Sequence, residues 1–131
     1  MRQESILLDT SVWVEFFRGK NEKLGVRVQE LLDADSVILG APVLIEILSG
    51  SSRATYSTLR RVLSALPLYY PQPSTWHRME DWIALAILKG ERFGVGDLLI
   101  ASIAADRQVL LWSLDSDFKR MEKLGWLKLL T

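Results

Sequence analysis

Short, unbroken apolar runs, each followed by a segment of helical spacing, constrain this chain more than any other feature. Ile6-Leu7-Leu8, Val37-Ile38-Leu39 and Val109-Leu110-Leu111-Trp112 show no apolar–polar alternation. A half-exposed strand alternates; a strand covered on both faces does not. Behind the first run, Asp9-Thr10-Ser11 offers helix-capping side chains. Val12, Trp13, Phe16 and Phe17 then recur at helical spacing, and Gly19 stops the segment. Further helices are predicted over 24–32, from Pro42 to Leu48, over 55–66, from Ser74 or Thr75 to Gly90, over 98–105 and from Asp115 to Met121. Leu68-Tyr69-Tyr70 and Leu127 to Leu130 complete the strand candidates. Strands alternating with helices predict an α/β fold whose mainly parallel sheet is covered on both faces.

The length, 131 residues, suits one domain spanning 1–131 with its own core. Sixteen Lys and Arg balance sixteen Asp and Glu, which excludes a histone-like coating of nucleic acid but not a local basic patch. Cysteine is absent and His77 is the sole histidine. Disulfides, thiolate metal sites, iron–sulfur clusters, Cys nucleophiles and His-rich zinc sites are therefore excluded, and any catalytic metal must be held mostly by oxygen. His77 reads as structural, since no Ser/Asp partner motif accompanies it. No apolar run reaches the roughly 18–20 residues of a membrane span. Met1-Arg2-Gln3-Glu4 leads into too short an apolar segment for a secretion signal. A reducing, cytoplasmic setting is expected.

Four carboxylates stand beside apolar elements rather than on solvent faces. Asp9 ends the first run, and Asp115 follows the Val109–Trp112 run. Asp97 follows Gly94-Val95-Gly96 and precedes Leu98-Leu99-Ile100-Ala101. Glu46 interrupts Val43-Leu44-Ile45 and Ile47-Leu48, without a cation at i±3 or i±4. A carboxylate in apolar surroundings is costly unless a cation or several donors compensate it. Asp9, Asp97 and Asp115 each also read as a helix cap; Glu46 does not, and its alternative is a solvated position on its helix. In a parallel sheet, ligands bind beyond the C-terminal strand ends, where Asp9 and Asp115 are predicted to meet. A shared site accounts for all four. Asp117 either joins it or supports the helix opened by Asp115, and Ser11 either supports it or caps a helix.

With these residues in place, the chain resembles the PIN-domain family, and more narrowly VapC-type toxin ribonucleases of toxin–antitoxin pairs. Leu7-Leu8-Asp9-Thr10-Ser11-Val12-Trp13-Val14-Glu15-Phe16-Phe17-Arg18-Gly19 is similar to the family's first motif. Pro42-Val43-Leu44-Ile45-Glu46-Ile47-Leu48, Gly96-Asp97-Leu98-Leu99-Ile100-Ala101 and Ser113-Leu114-Asp115-Ser116-Asp117-Phe118 resemble the later ones. From Arg53 to Arg92 only length and helicity match. The resemblance implies a three-layer α/β/α sandwich, divalent-metal ribonuclease activity, a small antitoxin that blocks the site, and a homodimer.

The expected chemistry is hydrolysis of RNA by water activated at Mg²⁺ or Mn²⁺, with one ion or two. Asp9, Glu46, Asp97 and Asp115 would carry it, with Asp9, Asp97 and Asp115 on the metal and Ser11 and Asp117 in support. An acidic site repels RNA, so cations must offset it; Arg18, Arg53, Arg60, Arg61, Arg92, Lys119 and Arg120 are candidates. Trp13 and Phe17 are expected to pack in the core. The exposed side of the first helix, around Trp13, Phe16 and Arg18, is the expected antitoxin groove. Two rivals remain: a Mg²⁺-dependent phosphatase-like enzyme and a catalytically silent PIN-like interaction module. The first needs an acid two residues after Asp9, where Ser11 stands. A receiver domain would need an acidic neighbour for Asp9 and a Lys after the Val109–Trp112 strand, and has neither.

Overall fold

The computed structural model describes residues 4–131; Met1, Arg2 and Gln3, on which the reading of the N-terminus partly rests, lie outside the described residues. The chain runs β1 (Ile6–Leu8), α1 (Thr10–Arg18), α2 (Glu22–Asp33), β2 (Val37–Gly40), α3 (Ala41–Ser49), α4 (Tyr56–Leu63), β3 (Leu68–Tyr69), α5 (Pro73–Leu88), α6 (Val95–Arg107), β4 (Leu110–Trp112) and α7 (Asp117–Lys123). The strands form one sheet in the order β3-β2-β1-β4, and every pairing is parallel. Successive side chains of a strand point to opposite faces, and Ile6, Leu7 and Leu8 are all buried. Helices therefore cover both faces, giving the α/β/α arrangement expected. Each fully buried Leu of β1 contributes roughly 1.5–3 kcal/mol.

The strand order explains where a site can form. From β1 the chain steps to β2 and β3, then crosses back to lay β4 on the other side of β1. Leu8 stands in register with Trp112, and the Asp9 amide donates to the Trp112 carbonyl at 2.9 Å. The C-terminal ends of β1 and β4 thus open a crevice at the reversal of strand order.

The helix facing that crevice is fixed by a polar staple. Thr75, fully buried, donates its hydroxyl to Asp106, and Arg78 pairs with the same carboxylate. Arg78 also donates to the Ser102 carbonyl at 3.2 Å, and the Gln72 amide donates to Thr75 Oγ1 at 2.9 Å. Thr75 is thus the third residue of a capping box begun by Gln72 rather than the cap itself. The staple ties α5 to α6.

Three expectations are corrected. Leu127 to Leu130 adds no strand: only Leu111 and Leu129 form an isolated bridge, because β4 is a short edge with room for one rung. The apolar residues of α5 divide between core and surface. Met79 and Ala86 are buried, while Trp76, Ile83 and Ile87 are exposed, because α6 covers only one side of the helix. Trp13 is fully buried, with Phe17 stacked on it at 5.7 Å. The core packing expected of Trp13 is therefore borne out and its place in an antitoxin groove is not, while Phe17, expected in the core, is exposed on α1 with Val14. Among the described residues no helix is long and apolar enough to cross a membrane.

Candidate active site

Asp9 takes the N-cap backbone position of α1, yet its side chain makes no capping bond. Its Oδ2 instead accepts hydroxyl hydrogen bonds from Ser11 and Ser113, each at 2.8 Å. Ser11 Oγ accepts from the Leu114 amide at 3.0 Å, and Ser113 Oγ from the Asp115 amide at 2.9 Å. Asp115 Oδ1 in turn accepts from the Asp117 amide at 2.9 Å. A chain of bonds therefore runs from buried Asp9 through Ser113 to the acids that follow β4. Charge-assisted bonds of this kind fix a buried carboxylate in one orientation.

Ser113 went unsingled in the sequence beyond its place in the last motif. The signal was there: it precedes Asp115 by two residues at the end of an apolar run, as Ser11 follows Asp9 by two. Only the pairing of β1 with β4 brings the two serines onto one oxygen, with 3.4 Å between their hydroxyls.

Asp97 sits in the first turn of α6, whose N-cap is Gly94. The positive end of a helix stabilises an anion there, typically by 0.3–1 kcal/mol. The opposing effects win. Burial, then the charges of Asp115, Asp9, Asp117 and Glu46, push its carboxyl up from 3.8 to about 6. The other four acids thus lie near enough for Asp97 to feel their charge.

Glu46 lies inside α3 and is exposed, contrary to the apolar setting its neighbours suggested. Val43, Leu44 and Ile47 turn to the core while Glu46 points to the crevice. Its Oε1 would lie 3.8 Å from a Cβ at Gly96, so the glycine leaves room for it beside Asp97.

Asp97, Asp115 and Asp117 each offer a carboxylate oxygen within 4.8 Å of one another. Asp117 thus shares this group, and Asp9 stands behind it through Ser113. Asp117 also pairs with Arg120 at 2.8 Å, and the same guanidinium binds Glu91 and lies over the Phe93 ring at 4.5 Å. Three carboxylates converging without a matching number of protein cations fit a hard, oxygen-seeking dication.

The basic candidates do not share one element: Arg53, Arg60 and Arg61 lie on α4 or the turn before it, the others elsewhere. Arg18 pairs with Glu15 at 3.8 Å. Arg53, Arg60, Arg61, Arg92 and Lys119 are exposed, and Arg120 is held by its two acids. His77 is exposed on α5.

The PIN domain family matches residues 6–124. The chain is 34% identical over 118 residues to VapC ribonuclease Mb1587 of Mycobacterium bovis, covering 86% of this chain and 88% of that protein. It has the same identity and coverage with ribonuclease VapC11 of Mycobacterium tuberculosis. Among solved structures, VapBC2 from Rickettsia felis bound to a promoter DNA fragment shares the fold, with a TM-score of 0.78 at 20% identity, covering 95% of this chain and 96% of that one. With the motifs, the parallel sheet and the ring of acids all in place, the chain belongs to the PIN-domain family and, within it, to the VapC ribonucleases.

Proposed function

We propose that the chain, acting as one domain, is a divalent-metal-dependent endoribonuclease and the toxin of a toxin–antitoxin pair. The carrying observation is Asp97: a half-buried carboxyl with four other acids around it, at the crevice where the strand order reverses. The 34% identity with VapC ribonucleases supports RNA as the substrate.

Asp97, Asp115 and Asp117 would hold Mg²⁺ or Mn²⁺, with Asp9 positioned behind them by Ser11 and Ser113. When bound, such an ion stabilises negative charge on a phosphoryl group and acidifies water. The chain's own groups do the rest. Glu46 Oε1, beside Gly96, accepts the proton of the attacking water. Ser11 and Ser113 hold the Asp9 carboxylate in one orientation. Arg18, Arg53, Arg92 and Lys119 offer exposed charges for RNA phosphates.

Purified chain should cleave a labelled RNA with Mg²⁺ or Mn²⁺ and not with chelator. Asp9→Asn and Asp97→Asn should each lower the rate on the order of 100-fold or more while keeping the circular dichroism spectrum. Full activity in both variants would overturn the assignment. A chain without such activity that takes up no Mn²⁺ in calorimetry would instead be the silent interaction module.

The antitoxin would dock along α1, where Val14 and Phe17 are exposed, and co-expression with the neighbouring reading frame should co-purify it. The toxin would act as a homodimer in the cytoplasm, where its RNA is.

A further inference from the structure

The chain is neutral overall, but its charge is segregated. Residues 47–79 contain no Asp or Glu and four arginines: Arg53, Arg60, Arg61 and Arg78. Arg78 is committed to Asp106. Among the described residues, the other three make no ion pair. All three are exposed on α4 or in the turn leading into it.

Helix α4 turns Leu63 into the core and half-buries Leu59. Its other side carries Tyr56, Ser57, Arg60, Arg61 and Ser64, which line a shallow depression of about 470 Å³. Tyr56 is 47% exposed there. Arg53 precedes Tyr56 by three residues and Arg60 by seven, which extends the stripe by a turn. Arg60 and Arg61 in the last turn are explained in part by the helix dipole. That leaves Arg53, the exposed tyrosine and the missing acids unexplained.

α4 packs against α3, the helix that carries Glu46. Five carboxylates at the crevice repel a polyanion, so an RNA strand needs compensating cations close by. Arginines interleaved with an exposed aromatic ring and hydroxyls suit a single-stranded backbone with one stacked base. We infer that the α4 stripe of Arg53, Tyr56, Arg60 and Arg61 is the face that grips substrate RNA, its arginines on phosphates and Tyr56 under a base. This rests on the ribonuclease reading and adds where the strand lies.

The test is fluorescence anisotropy with a labelled single-stranded RNA of about 12 nucleotides, within the site sizes of single-strand-binding domains. The full chain carries Asp97→Asn, so that the RNA stays intact, and salt is varied from about 50 to 200 mM. Adding Arg53→Gln, Arg60→Gln and Arg61→Gln together should weaken binding about tenfold or more. It should also lower the slope of log K against log salt by about 2, since each lost phosphate contact on a single strand removes about 0.7. Tyr56→Leu should weaken binding about fivefold, and Tyr56→Phe should not. Each arginine variant alone, checked for fold by circular dichroism, should remove about a third of the slope change.

Unchanged affinity and slope in the folded triple variant would overturn the inference. So would a triple variant that keeps RNA affinity but no longer retains its co-expressed antitoxin, which would assign the face to a protein. The parent reading is tested separately, by metal-dependent cleavage of the same RNA by the unsubstituted chain. If that cleavage occurs and Asp97→Asn abolishes it while the α4 variants bind normally, only the α4 assignment falls.

Discussion

Asp97 bears the largest electrostatic load of any residue in the crevice. Its folded carboxyl titrates near 6, against an ordinary value of 3.8 in the unfolded chain. Below pH 4 both states are protonated and the residue costs nothing. Between about 4 and 6 the unfolded chain releases its proton while the folded one keeps it, so stability falls as pH rises. Above 6 the full cost is present, on the order of 2 kcal/mol once solvent screening is allowed for. In chelator, thermal melts should therefore show a midpoint that declines from pH 4 to 6, and Asp97→Asn should flatten the decline and melt higher than wild type at pH 7. Ser113 acts in the opposite sense, as a donor to buried Asp9. Ser113→Ala should cost about 1–2 kcal/mol in denaturant unfolding and reduce cleavage, because one of the two hydroxyls on Oδ2 is gone. A variant as stable and active as wild type would show that Ser11 alone suffices.

At the scale of elements, α6 is the one whose placement matters most, since it carries Asp97 on its first turn. Its far end is pinned by Asp106, which takes both the Thr75 hydroxyl and Arg78 from α5. Asp106→Ala would leave a fully buried hydroxyl without its acceptor and a guanidinium without its acid. The expected loss is about 2–3 kcal/mol, read as a lower denaturation midpoint with unchanged steepness. The helices were legible in the sequence because capping chemistry and apolar spacing are local. The buried side of α5 was not. Trp76, Ile83 and Ile87 share helical spacing with Met79 and Ala86, yet lie outside the strip that α6 covers. Periodicity reports that a face is apolar; it does not report the width of the neighbour that covers it.

For the molecule as a whole, the acids make the fold and the ligand interdependent. Several like charges gathered at one rim oppose the folded state, and a dication bound among them would relieve them. Adding Mg²⁺ or Mn²⁺ at about 100 times its Kd should stabilise the chain by about 2.7 kcal/mol. For a chain near this size that is a rise of roughly 10 °C in Tm. In Asp97→Asn the rise should shrink sharply. An equal rise in the variant would mean that the ion binds elsewhere.

The sequence by itself determined that the sheet would be parallel and doubly covered, because unbroken apolar runs such as Ile6–Leu8 admit no wet face. It also singled out Asp9, Glu46, Asp97 and Asp115 by their places beside apolar runs, although Glu46 and Asp115 prove to be exposed. Tertiary structure decided how they are arranged. Asp9 belongs to two serine hydroxyls, one of them more than a hundred residues away in sequence, and Asp117 joins Asp97 and Asp115 in the open group. The physical reason is that hydrogen bonds and carboxylate repulsion act over a few ångströms in space. Which groups come that close depends on the order β3-β2-β1-β4, which no local spacing encodes.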